Sequence, residues 1–128
     1  MTTVVAALIE RGGRILICRR RADQPHALKW EFPGGKVEAG ESPPQALRRE
    51  LEEELAVCAR IGPEVERYEF RYPGKSPILL IFHAISEFSG EPRNRIFEEV
   101  LWAEPKLLPE FDFLEGDVEF VKRLAAAH

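Results

Sequence analysis

A chain of 128 residues suits a single domain that buries its own core without disulfide or metal staples, and 45% hydrophobic with 31% charged residues is the composition of a globular protein. No apolar run is long enough to cross a bilayer, and the stretch from Met1 to Ile9 lacks the basic flank and small-residue cleavage site of a signal peptide, so a cytoplasmic protein without a membrane partner is expected. A net charge of -4 with no block of Lys or Arg leaves no electrostatic footprint for duplex nucleic acid, and no nucleic-acid polymer is expected as a partner.

In chain order, Val4 to Ile9 is β-branched and apolar, Arg11-Gly12-Gly13-Arg14 turns, and Ile15 to Cys18 resumes the apolar run, which predicts a hairpin. Residues 21–29 are polar and loop-like, Trp30-Glu31-Phe32 alternates as a short strand, and Pro33-Gly34-Gly35 breaks it. A helix is predicted over 43–55. Strands follow at about 64–72, 77–86 and 98–103, separated by Pro73-Gly74 and Ser89-Gly90, and a closing helix at about 115–125 aligns Val118, Val121 and Leu124. The terminal Ala125 to His128 is given no role. Cys18 and Cys58 share no metal-ligand spacing and read as buried thiols of a reducing compartment. His26 and His83 likewise lack a ligand spacing.

The central helix has a legible start. Ser42 can cap it, Pro43 suits the first helical position, and Gln45 completes a capping box. Leu47, Leu51 and Leu55 recur every four residues and form the buried stripe. Its end is the anomaly: Glu50-Leu51-Glu52-Glu53-Glu54 concentrates negative charge where the helix dipole is already negative. At about 100° per residue, Glu50, Glu53 and Glu54 converge on one face while Glu52 points to solvent. Such a face calls for a cation, and a hard divalent ion held by a few carboxylates, waters and substrate phosphates fits it. The plain alternative is a solvated helix face neutralised by Arg48 and Arg49.

Gly35, Glu41, Arg49-Glu50-Leu51, Glu53-Glu54 and Val57 together favour the metal reading, because their ordered spacing resembles the Nudix box, with Ala56 standing where the family usually has glycine. Alanine there implies that the helix ends by a different turn or runs slightly longer. The resemblance extends over most of the chain to the MutT-type branch, through Arg19-Arg20, Trp30 to Glu38, and Phe113 to Val118. It implies an α+β Nudix fold, a mixed β-sheet sandwiched between helices, with one domain over 1–128 and the box at 35–57. It also implies a Mg²⁺-dependent enzyme, with Mn²⁺ as a substitute, that splits nucleoside triphosphates into monophosphate and pyrophosphate. Nucleotide-pool sanitation with 8-oxo-dGTP or CTP and dCTP-type substrates is the expected role, acting as a monomer or homodimer.

Carried over by position, Glu50 would orient or deprotonate the water and touch metal. Glu53 and Glu54 would be metal ligands, with the Gly34 carbonyl as another. Arg49 would hold the carboxylates, and Glu41 would support them from the loop. Where the branch places a further glutamate, this chain has Ile96, leaving Glu98 or Glu99 as replacements from a shifted register. Arg20 is expected at the phosphates, Gly35 and Lys36 among the substrate-binding residues, Phe32 and Phe70 beside the base, and Asp117 at the base-reading position. Two alternatives stay open: a Nudix hydrolase of diphosphate-linked substrates such as ADP-ribose or dinucleoside polyphosphates, and a ligand-sensing module without turnover. The short chain and MutT-like ends argue against the first, and the presence of all four acids against the second.

Overall fold

The computed structural model describes all 128 residues. β1 (Thr2–Arg11) and β2 (Arg14–Arg19) form the predicted hairpin, joined by Gly12 and Gly13, both at positive φ as a tight two-residue connection requires. β3 (Trp30–Glu31) and β4 (Gly34–Lys36) precede α1 (Pro43–Leu55), and β5 (Cys58–Arg60), β6 (Glu64–Phe70), β7 (Ile78–Ile85), β8 (Glu87–Ser89) and β9 (Glu99–Ala103) follow it. A short 3-10 helix (Pro105–Glu110) leads to α2 (Glu115–Ala126). No helix is long and apolar enough to cross a membrane.

β1 organises the sheet. It runs parallel to β7 from Thr2 to Ile9 and antiparallel to β4 on its other edge. Near its end it pairs with β2, which continues to β3 and β9, while β6 closes the far side antiparallel to β7. Alternation along β1 sorts the core into two layers. Val5, Ala7 and Ile9 face α1 with Leu47, Leu51 and Leu55, whereas Ala6 and Leu8 face α2 with Phe82, Phe120 and Val121. The mixed sheet is therefore covered on both faces by helices, as expected.

Several local expectations need correction. β4 begins within the Pro33-Gly34-Gly35 break, because Gly34 lets two backbones approach more closely than a side chain allows. A Cβ at Gly34 would lie 2.0 Å from the Val5 carbonyl oxygen. The two-stranded β5–β8 ribbon and the 3-10 helix are too short to leave a periodic signal in the sequence. Cys58 is exposed, because β5 turns Ala59 inward and its neighbours outward, while Cys18 is buried as expected. In α2 the main anchors are Phe120 and Val121, with Val118 and Leu124 packed at the margin of the core.

α1 begins as its sequence predicts: Gln45 N–H donates to Ser42 Oγ at 3.3 Å, and Ser42 N–H donates to Gln45 Oε1 at 2.8 Å. It ends differently from the expectation drawn from Ala56. Ala56 itself adopts the left-handed conformation, at φ 56° and ψ 34°, and its N–H donates to the Glu52 carbonyl. The turn a glycine would make is thus made by alanine, at a steric cost of about 1 kcal/mol or more. Ala56→Gly is expected to stabilise the protein by about 1 kcal/mol, read as a rise in the urea midpoint at unchanged slope.

Candidate active site

Arg49 is the hub of the polar cluster on α1. Its Nε and Nη2 donate to the two oxygens of Glu41 at 2.8 and 3.0 Å, and its Nη1 donates to Glu50 Oε1 at 2.7 Å. Nη2 also reaches the Lys36 carbonyl at 3.3 Å, so one guanidinium ties the helix to both the loop before it and β4. Glu41 further accepts from the Glu38 amide at 3.0 Å, and these bonds hold its carboxyl below the usual carboxylate range. The fork geometry matches this double duty, which a lysine could not perform.

Three acids of α1 share a side of the helix but not an environment. Glu54 is buried, with 7% of its surface exposed, and Oε1 accepts from the Gly34 amide at 3.2 Å. Glu50 is nearly as enclosed, with 16% of its side chain exposed, and its carboxyl adjoins that of Glu54. Glu53 keeps 60% of its side chain in solvent, with Arg49 Nη1 at 3.5 Å. Gly35 permits the arrangement: a Cβ there would sit 2.6 Å from the Glu50 carboxyl carbon.

Burial, then the hydrogen bond and charge of Glu50, push the Glu54 carboxyl well above its ordinary range, and no cationic side chain offsets them. A buried acid facing a second acid is the donor chemistry that a hard divalent cation satisfies. No three His, Cys, Asp or Glu side chains are gathered closely enough to cage an ion by themselves. The cluster therefore fits an ion that takes part of its shell from water and phosphate.

Beside Glu54 opens a cavity of about 340 Å³, whose lining includes Gly34, Phe32, Glu31, Tyr72, Ile96 and Asp117. Asp117 is buried at the start of α2, and burial followed by the charge of Glu31 raises its pKa to about 8, against a weaker downward pull from the Phe32 backbone. Burial likewise raises Glu31, although Arg20 Nη1 donates to its oxygens at 3.1 and 3.3 Å. A wider hollow of about 560 Å³ beside the β1–β2 turn has only Glu10 and Arg11 as charged lining and no cluster of acids.

The expected residues thus divide. Glu41, Arg49, Glu50, Glu54, Gly34 and Gly35 come together, with Glu53 at the solvent edge. Phe32 and Asp117 line the cavity, and exposed Lys36 stands at its rim. Arg20 also lines it, but its guanidinium is committed to Glu31 and, through Nε, to the Pro25 carbonyl at 2.8 Å. Phe70 lies behind the wall, edge-on to Tyr72 with ring centroids 4.8 Å apart.

Neither Glu98 nor Glu99 lines the cavity. The Glu98 amide is fixed to the Arg19 carbonyl, Glu99 pairs with Arg19 in the sheet, and both side chains are exposed, while Ile96, itself 38% exposed, lines the cavity at its open side. Sequence reasoning passed over Glu31 and Tyr72 as functional residues. An acid between Trp30 and Phe32 was a usable signal for the first, and nothing local marked the second. His83 is structural, its Nδ1 meeting the Gly62 carbonyl at 2.8 Å.

The NUDIX domain profile matches residues 1–124. An 8-oxo-dGTP diphosphatase of Haemophilus influenzae is 42% identical over 122 residues, covering 94% of this chain and 89% of its own. A CTP pyrophosphohydrolase of Escherichia coli strain K12 is 36% identical over 126 residues, covering 98% and 93%. The solution structure of the E. coli ORF135 protein superposes with a TM-score of 0.87 at 36% identity, covering 98% of this chain and 89% of that one. The chain belongs to the NUDIX family.

Two outcomes follow from this geometry. Gly35→Ala should displace the Glu50 carboxyl from its bond to Arg49 and lower kcat by about 10²-fold while the thermal melt stays cooperative. Asp117 keeps its proton in the folded protein to about pH 8, whereas its ordinary value is 3.8, so its contribution to stability declines as pH rises through that window. Asp117→Asn should therefore gain stability over the parent between pH 4 and 8, with the gain levelling off above, measured by urea unfolding across that range.

Proposed function

We propose that this NUDIX hydrolase splits nucleoside triphosphates, oxidised or pyrimidine, into the monophosphate and pyrophosphate, and so cleans the cytoplasmic nucleotide pool. One observation carries the reading: a single cavity has the buried carboxyl of Glu54 at one side and Phe32 with Asp117 among its other walls. Polyphosphate and base can thus be held at once. The names of the two relatives, an 8-oxo-dGTP diphosphatase and a CTP pyrophosphohydrolase, support the same substrate class.

Glu50, Glu53 and Glu54, with the Gly34 carbonyl, would hold a divalent ion, magnesium by preference because its oxygen-rich shell readily keeps waters and phosphate oxygens. When bound, the ion would neutralise charge on the polyphosphate and acidify the attacking water. Glu50, fixed by Arg49 at 2.7 Å, takes the proton of that water as its oxygen attacks an internal phosphorus and the bond to the bridging oxygen breaks. Lys36 at the rim and any guanidinium nitrogen that Arg20 can spare from Glu31 steady the phosphates.

Phe32 offers a face to the base, and Asp117 reads its edge. With its pKa near 8, Asp117 is mostly protonated at neutral pH, so the carboxyl presents one donor beside one acceptor. Cytosine, with its amine beside N3, and 8-oxoguanine, with O6 beside an N–H, both present the complementary pair. This accounts for a single cavity suited to both substrate types.

The test is a panel of canonical and oxidised NTPs and dNTPs, ADP-ribose and dinucleoside polyphosphates, assayed for pyrophosphate against phosphate release with magnesium and with EDTA. Pyrophosphate from 8-oxo-dGTP or cytosine triphosphates, lost in EDTA and restored by magnesium, is expected. Faster turnover of the linked diphosphates would move the chain to the alternative hydrolase class, and no turnover at all would indicate a sensing module. Glu50→Gln should lower kcat by about 10²–10⁴-fold, and parental rates in that variant would remove Glu50 from the base role.

A further inference from the structure

Two tyrosine hydroxyls meet at one peptide residue beside the base-reading acid. Tyr68 Oη donates to the Gly116 carbonyl at 2.6 Å, and Gly116 N–H donates to Tyr72 Oη at 3.1 Å. Gly116 lies in the first turn of α2, immediately before Asp117. That turn has no side-chain cap: Leu114, at the cap position, makes no such bond. The Gly116 amide is one of the donors that a helix start leaves without an intrahelical acceptor, and Tyr72 supplies the acceptor from a different element.

The approach depends on the missing side chain. A Cβ at Gly116 would stand 3.0 Å from the Tyr72 hydroxyl, 3.3 Å from Leu80 Cδ1 and 3.4 Å from Phe70 Cδ2. Alternation along β6 and just past it places Tyr68, Phe70 and Tyr72 on one face, against α2. Burial pushes both phenols upward, so they remain neutral hydroxyls across the working pH range. The other ties on this segment are backbone bonds, from the Leu114 amide to the Trp30 carbonyl and from the Trp30 amide to the Asp112 carbonyl, and the ion pair of Lys29 Nζ with Asp112 Oδ1 at 2.7 Å. These fix the chain before the helix, and the tyrosines fix the helix itself.

We propose that Tyr68 and Tyr72 are positioning residues for base selection, clamping Gly116 so that the Asp117 carboxyl stands at a fixed place opposite Phe32 and Glu31. The proposal rests on the base-reading role given to Asp117 above. Displacements of about 1 Å at a recognising group are enough to change rates substantially, so a hydrogen bond that fixes the first turn of α2 acts on discrimination without touching the base. Tyr72 also lines the cavity and lies tilted against His26 with ring centroids 4.9 Å apart, whereas Tyr68 does not line it, which makes Tyr68 the cleaner probe. Its ring packs on Phe82 and is retained in phenylalanine.

The experiment measures kcat/KM for CTP and 8-oxo-dGTP in the parent, Tyr68→Phe, Tyr72→Phe, Asp117→Ala and the Tyr68→Phe/Asp117→Ala double variant, with thermal melts confirming folded protein. Tyr68→Phe should change the ratio of the two substrates by about fivefold or more, chiefly through KM, and should change it no further once Asp117 is alanine. Tyr72→Phe should shift the ratio in the same direction. An unchanged ratio in Tyr68→Phe, with Asp117→Ala altering it, overturns the clamp and leaves base reading by Asp117 intact. Equal shifts with and without Asp117 also overturn it, because the tyrosine would then act by another route. A ratio untouched by Asp117→Ala fails the base-reading assignment itself, and the clamp with it.

Discussion

The site is built on an unfavourable contact, two carboxyls of one helix turn held against each other away from water. Glu50 and Glu54 are four residues apart, and Glu54 is buried with only the Gly34 amide at 3.2 Å to offset its desolvation. Left to itself such a pair would separate or keep a proton, since burial and like charge both disfavour ionisation. It persists because its neighbours leave no alternative. Arg49 takes one oxygen of Glu50, and the other flank of that carboxyl is packed on Gly35.

The sheet supplies this constraint. β4 can sit against β1 only because Gly34 brings backbone onto backbone, and β4 is what carries the Gly34 amide and Gly35 to the end of α1. The same bonds that build the sheet edge thus fix the distance between the glutamates and the cavity. Arg49, joined to Glu41, Glu50 and the Lys36 carbonyl, locks helix and loop as one unit. A cluster on a free helix would have no comparable preorganisation.

The remaining side of α1 is closed from a distant part of the chain. The segment between β8 and β9 crosses the helix end, where the Arg93 and Arg95 amides donate to the Leu55 and Glu54 carbonyls and the Arg95 guanidinium donates to the Glu52 carbonyl at 3.1 Å. α1 has no basic residue in its last turn, so this guanidinium is the protein's own cation at the negative pole. The same segment places Ile96 on the cavity lining and leaves Glu98 and Glu99 outside. The acids grouped beside the cavity on this side are therefore those of α1, and this loop contributes an apolar wall.

Much of this was written locally in the chain. The capping box at Ser42, the leucine stripe of α1, the Gly12-Gly13 hairpin and the spacing from Gly35 to Val57 are short-range patterns, and each states its geometry without knowledge of the fold. β4, the β5–β8 ribbon and the left-handed Ala56 were not legible, because each is imposed by partners remote in sequence that outweigh local preference. The sequence by itself determined which residues could bind a cation and a nucleotide, through residue type and helical period. Only the tertiary structure decided that Glu54 is buried while Glu53 is wet, that Arg20 is spent on Glu31, and that two tyrosines grip the residue before Asp117. Burial and pairing depend on what the rest of the chain brings alongside, and no local pattern encodes that.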